Sequence, residues 1–154
     1  MKSKIALLLI SFSILSCARQ DTGLSQQQVE ALMQQWLKLW SSYDTNQLDD
    51  IFWNSSDLTY FSSEKKGLIK GFDQLKPHHE GFGFVTDGKT PVKALWLEEM
   101  HITLHGTTAV VDAIWFFGDQ QTPRDSVQQG PCTFVVIRDE GEQAKIAHVH
   151  FGNY

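Results

Sequence analysis

Cysteine is scarce in this 154-residue chain, which has two, Cys17 and Cys132. That excludes a disulfide framework and any Cys-x-x-Cys redox or zinc motif. Basic clusters are missing too. Lys and Arg number 13 against 18 Asp and Glu, the net charge is −5, and only Lys65-Lys66 adjoin. Nucleic acids and anionic lipid surfaces release counterions to basic clusters, so neither is an expected partner. Long hydrophobic runs are lacking as well: Ile5 to Leu15 is too short to span a bilayer. No P-loop, Gly-x-Ser-x-Gly or dinucleotide fingerprint is present, nor an internal repeat or low-complexity tract.

What is present begins at the N-terminus. Met1-Lys2-Ser3-Lys4 is a short basic region, Ile5 to Leu15 an apolar core, and Ile14-Leu15-Ser16-Cys17 follows. This order is that of a secretory signal, and the last four residues resemble a bacterial lipobox. The resemblance implies that residues 1–17 form a lipoprotein signal, that Cys17 is the lipidated residue, and that the protein is exported and membrane-anchored. Ala18 carries no aspartate retention signal, which favours the outer membrane where one exists. A plain signal peptide with an incidental cysteine is the alternative. Without Lys2 and Lys4 the net charge falls from −5 to −7. Cys132 is then the single thiol, and between Pro131 and Thr133-Phe134-Val135 it reads as a small buried apolar residue rather than a nucleophile. Residues 25–154 are one domain's worth of chain, rich enough in Trp and Phe to hold a core unaided.

Residues 18–24 read as a tether. Ser25-Gln26-Gln27-Gln28 then fits a capping box, and Val29, Leu32, Met33, Trp36, Leu39 and Trp40 recur at helical spacing. Asp44-Thr45 restarts a short helix carrying Leu48, Ile51 and Phe52. Asp57–Phe61 and Gly67–Gly71 are strand-like. A third helix runs from Phe72 to about Phe82 with Phe72, Leu75 and His79 on one side, and Pro77 predicts a bend or a late start. Four strands follow, Val92–His105, Thr108–Gly118, Pro131–Asp139 and Gln143–Phe151, with hairpin turns at Gly106-Thr107 and Glu140-Gly141 and a polar loop at Asp119–Gly130. Helices followed by an antiparallel meander give an α+β class. Thr108–Phe117 is apolar on much of both faces, so a curved sheet that wraps helices inside and meets a second subunit outside is expected.

Three segments carry a wider resemblance: Leu58-Thr59-Tyr60-Phe61, Gly67-Leu68-Ile69-Lys70-Gly71-Phe72-Asp73, and Lys145-Ile146-Ala147-His148-Val149-His150-Phe151-Gly152. In order and spacing they resemble the nuclear-transport-factor-2-like (NTF2-like) superfamily. The likeness is to its SnoaL-like members and to the association domain of calmodulin-dependent protein kinase. It implies a cone-shaped α+β barrel with three helices packed on a curved sheet. The superfamily holds ketosteroid isomerases, polyketide cyclases, dehydratases and members that only bind or assemble, so the fold does not choose the function. Arg138 near a hairpin turn and Arg124 in a loop do not reproduce the kinase domain's arginine pocket.

Two constellations could carry chemistry. A two-residue turn at Gly106-Thr107 sets His101 opposite Asp112 and Thr103 opposite Val110. Cross-strand neighbours lie about 5 Å apart at Cβ, and a carboxylate beside an imidazole in apolar surroundings is the arrangement of a general base. Mutual structural satisfaction of the pair is the alternative. A turn at Glu140-Gly141 sets Thr133 opposite His148 and Pro131 opposite His150. Alternation then puts both histidines on one face with Thr133, Val135 and Ile146. A metal reading would take His148, His150 and a carboxylate. His78-His79-Glu80 does not strengthen it, since adjacent helix residues diverge by about 100°, and no metal or other cofactor is assigned. Glu98-Glu99 predicts a bulge, because Leu95 and Leu97 use one parity and Met100, Ile102 and Leu104 the other.

The expectation is therefore a lipid-anchored, dimeric NTF2-like domain. It would hold a small apolar or amphipathic ligand among Trp40, Tyr60, Trp96, Trp115 and His150, or serve assembly. The alternative is an isomerase or cyclase with Asp112 as base, His101 orienting it and His148 assisting.

Overall fold

In a computed structural model the described residues are 23–119 and 121–154. The signal segment 1–17, Cys17 and all of the tether but its last two residues lie outside them. Helix α1, Gln26–Ser42, starts at Ser25 with both bonds of the capping box formed and ends at Tyr43 in the left-handed conformation. A 3₁₀ turn at Thr45–Gln47 leads into the one-turn helix α2, Leu48–Ile51, where one short helix was predicted. Strands β1, Thr59–Phe61, and β2, Ile69–Lys70, come next. Helix α3 spans Phe72–Gly81 and starts on time, with Pro77 inside it. The meander is β3, Ala94–His105; β4, Thr108–Gly118; β5, Gln128–Arg138; and β6, Ala144–Phe151.

The six strands form one mixed sheet in the order β2-β1-β6-β5-β4-β3. All neighbours are antiparallel except β1 and β6, which run parallel. Sheet and helices together make the cone-shaped α+β arrangement. The core lies on the concave side. Trp36, Leu39 and Trp40 of α1 and Leu75 of α3 are buried there against Ala109, Val111, Trp115, Phe134, Val149 and Phe151 of the sheet. Ring packing ties α1 to the strands: Trp36 lies 4.9 Å from Phe134 and 6.0 Å from Phe151 between centroids.

The first hairpin register is as the turn requires, with His101 opposite Asp112 and Thr103 opposite Val110. The expected bulge is there as well: register shifts between Glu98 and His101, and Glu99 has φ 53°. The second hairpin differs. Thr133 pairs with His150 and Val135 with His148, not Thr133 with His148 or Pro131 with His150. The turn is longer than two residues, spanning the gap from Arg138 to Ala144 with Glu142 in the left-handed region. A second irregularity falls between the Val135 and Val136 pairs. Ala147 is the extra residue there, so Ile146 turns into the core while His148 and His150 stay on the outer face. Strand β5 also begins at Gln128, three residues ahead of the expected Pro131.

Candidate functional site

Aromatic side chains from every layer meet at the far end of α1. Trp40 packs edge-on against Phe84 at 5.1 Å, and also against Phe82 and Phe117. Trp115 of β4 stands edge-on to Phe151 of β6 at 5.5 Å, and Tyr60 of β1 lies 5.9 Å from the same ring. Trp40, Tyr60, Phe82, Trp115, Phe117 and Phe151 surround a cavity of about 30 Å³, closed by Leu95 and by the polar side chains of Ser62, Ser63, Glu64 and Gln128. A volume of that size holds about one water.

The mouth is covered by the turn between β1 and β2. Two side chains tie that turn to the body: Gln128 Nε2 donates to Glu64 Oε1, and Asn153 Nδ2 donates to the Ser63 carbonyl at 3.1 Å. Gly67, at φ 90°, ends the turn. On the outer side of Glu64 and Phe82 lies an open hollow of about 350 Å³, lined also by Lys65, Pro77, His78 and Gly81. Glu64 and Phe82 therefore form the partition between hollow and cavity.

Of the two indole N–H groups at the cavity, that of Trp115 donates to the Gly152 carbonyl at 2.8 Å. The Trp40 indole N–H is buried and makes no hydrogen bond. Burial pushes the Tyr60 hydroxyl far above its ordinary pKa, so it remains a proton carrier rather than a base. Behind Tyr60, with centroids 5.1 and 5.9 Å away, stand His78 and His79. His79 is fully buried, and its Nδ1–H donates to the Leu75 carbonyl at 3.0 Å. A carbonyl only accepts, so the bare lone pair is on Nε2, which has no partner. Burial pushes the pKa of both imidazoles down to about 4; Lys65 adds to this at His78, and His78 at His79, where the bond to Leu75 opposes it. Sequence reasoning placed His79 on one side of α3 with Phe72 and Leu75, and weighed His78 only in the metal reading. For His78 the available signal was the three-residue spacing from Leu75.

The other predicted site residues divide by face. Trp40, Tyr60 and Trp115 line the cavity. Trp96 does not: it points outward and stacks on Phe116 at 5.3 Å, its indole N–H donating to Glu98. Parity decides this, since Leu95 and Leu97 take the inner face. Asp112, His101, His148 and His150 also lie on the outer, convex face, because Ala109, Val111, Ala113 and Trp115 use the inner parity of β4. Register aligns Phe61, His150, Thr133, Asp112 and His101 in one row across five strands. Within it, Asp112 accepts a hydrogen bond from Thr133 Oγ1 at 2.8 Å. In the next row His148 Nδ1 meets Thr59 Oγ1 at 2.8 Å, and burial, then the nearby His150, lowers its pKa. The trio expected to act as base and helpers thus does not converge on the cavity. Among the described residues no group of three or more His, Cys, Asp or Glu side chains could hold a metal. Cys132 is buried, and its thiol is pushed up to about 12 by burial and by Asp112, so it is inert.

No protein-family model and no curated protein matches the chain by sequence. Solved structures do. An NTF2-like superfamily protein from Salmonella enterica serovar Typhimurium superposes with a TM-score of 0.64 at 22% identity, over 82% of this chain and 89% of its own. The calcium/calmodulin-dependent kinase II hub of S. rosetta gives 0.65 at 20% identity, over 83% and 95%. A candidate ketosteroid isomerase from Parabacteroides distasonis gives 0.62 at 18%, over 88% and 97%. The fold is NTF2-like. In these three structures the likeness covers 82%, 83% and 88% of this chain, and at these identities it is a likeness of fold.

Proposed function

We propose that this chain is an exported, lipid-anchored NTF2-like domain that binds a small apolar or amphipathic molecule inside its cone. The observation that carries the reading is the aromatic cavity behind a turn held by two side-chain hydrogen bonds. Pockets with apolar walls and a few directed polar groups are where small ligands bind. At about 30 Å³ the cavity admits no organic ligand as it stands, so binding requires the turn to lift or Phe82 to swing, joining cavity and hollow. Titration with the neutral apolar fluorophore N-phenyl-1-naphthylamine tests this. Emission rises with wild type and stays flat with Ser62→Phe, which plugs the mouth from the turn; equal emission from both overturns the reading. Anchoring rests on the lipobox, and Cys17→Ser tests it. The variant keeps its leader and takes up no labelled lipid, whereas unchanged processing and membrane fractionation refute the anchor.

Assembly with a second copy is the accompanying reading, and a specific surface favours it. Val110, Ile114 and Val135 are half-buried on the convex face and Phe61 is 39% exposed. Asp112 sits in a row with His101 and His150, so a two-fold copy can set its carboxylate against the other copy's imidazoles. The S. rosetta protein, of the same fold, is named a hub.

A further inference from the structure

We propose that the ligand of the cone is a compact organic cation, an alkylated ammonium group, held by the ring faces and by Glu64. The proposal rests on the cone-binding reading and narrows it. Six of the lining residues are aromatic: Trp40, Tyr60, Phe82, Trp115, Phe117 and Phe151. Among all the lining residues one is charged, and it is the acid Glu64. Aromatic faces are negative and edges positive, so a cation that meets these rings face-on is attracted and an anion is not. A carboxylate at the rim adds to the same preference. Lys65 follows Glu64 in the turn but lines the outer hollow alone.

The Phe117 face is already taken, for Lys93 Nζ lies 5.7 Å over its centroid, so the ligand's ammonium falls to the other rings and to Glu64. The Glu64 carboxylate is meanwhile held by a neutral amide, the side chain of Gln128. An ammonium group entering from the hollow replaces that amide with a charge partner. Partner exchange at Glu64 and release of the covering turn are then one event, and the turn's second tie, Asn153 to Ser63, yields with it.

The experiment compares choline and tetramethylammonium with 3,3-dimethylbutan-1-ol, the uncharged carbon isostere of choline, by calorimetric titration of the full chain. Choline is expected to bind at least about tenfold more tightly than the alcohol, a difference the Glu64 carboxylate supplies for the most part and the aromatic faces for the rest. Glu64→Gln removes most of that preference without weakening the alcohol. Gln128→Ala tightens choline severalfold, because the closed state loses its competing bond. Equal binding of choline and the alcohol, or an unchanged preference in Glu64→Gln, overturns the proposal while leaving the cone-binding reading standing. Absence of binding by both, together with flat N-phenyl-1-naphthylamine emission, overturns the two together.

Discussion

The indole N–H of Trp115 donates to the carbonyl of Gly152 at 2.8 Å, joining β4 to the residue just past β6. Trp40, across the cavity, has the same group buried with no partner. One ring is therefore pinned and the other is held by packing alone. Replacing each by Phe removes similar volume but opposite hydrogen-bond accounts. Trp115→Phe leaves a carbonyl unmatched, whereas Trp40→Phe removes an unmatched donor. Trp115→Phe is expected to be the more destabilising by about 1–2 kcal/mol. Urea unfolding of the two variants checks this, and equal losses contradict it.

Gly152 is also the reason for Gly130. A Cβ built on Gly130 collides with the backbone of Gly152 and Asn153. Gly152 cannot retreat, since its N–H donates to the Pro131 carbonyl at 2.9 Å and its carbonyl is held by Trp115. Gly130→Ala must push β5 and the chain after β6 apart, at a cost of about 3 kcal/mol or more, in the range of severe overpacking. Gly141→Ala is the control, because its Cβ meets only the Asp139 side chain at ordinary distance. It is expected to change stability by less than about 0.5 kcal/mol. Thermal unfolding separates the two variants, and similar midpoints refute the argument.

Both close approaches were invisible in the sequence, and the reason is general to this molecule. Local signals were legible. Ser25 and Gln28 marked the start of α1, Gly106-Thr107 set the His101–Asp112 register, and the parity break at Glu98-Glu99 announced a bulge. The second hairpin failed because a turn longer than two residues and the extra Ala147 shift register without any change in hydrophobic alternation at His148, Val149 and His150. The site failed for a related reason. A two-faced apolar strand such as β4 does not say which parity faces the helices, so Asp112 and Trp96 were placed by chemistry rather than by burial. His78 and His79 are set by tertiary packing of α3 against Tyr60 and Trp40.

The convex face gives a prediction about assembly. Val110 and Val135 are neighbours across β4 and β5 and project away from the core. Placing a carboxylate between two copies there costs several kcal/mol of association if the face is buried in a dimer, and little if it meets water. On the assembly reading the wild type is expected to sediment as a dimer and Val110→Glu as a monomer at the same concentration, with the same near-ultraviolet circular dichroism. Val135→Lys is expected to do likewise. Unchanged sedimentation of both variants removes this face from assembly.

The buried imidazoles make stability depend on pH with a definite sign. His79 titrates near 6.5 when unfolded and at about 4 when folded, because burial opposes its charge. Between those values the unfolded chain binds the extra proton, so stability rises with pH. The His79 contribution is fully present above about pH 6.5 and is lost as pH falls toward 4. A shift of that size is worth up to about 3 kcal/mol, and His78 adds a further part in the same window. His79→Phe keeps a ring in the pocket beside Phe52, Trp40 and Phe84 without the titrating group. Urea unfolding from pH 4.5 to 7 should show a steep rise for the wild type and a shallower one for the variant. Parallel curves would mean that His79 reaches solvent or a proton partner in the folded state.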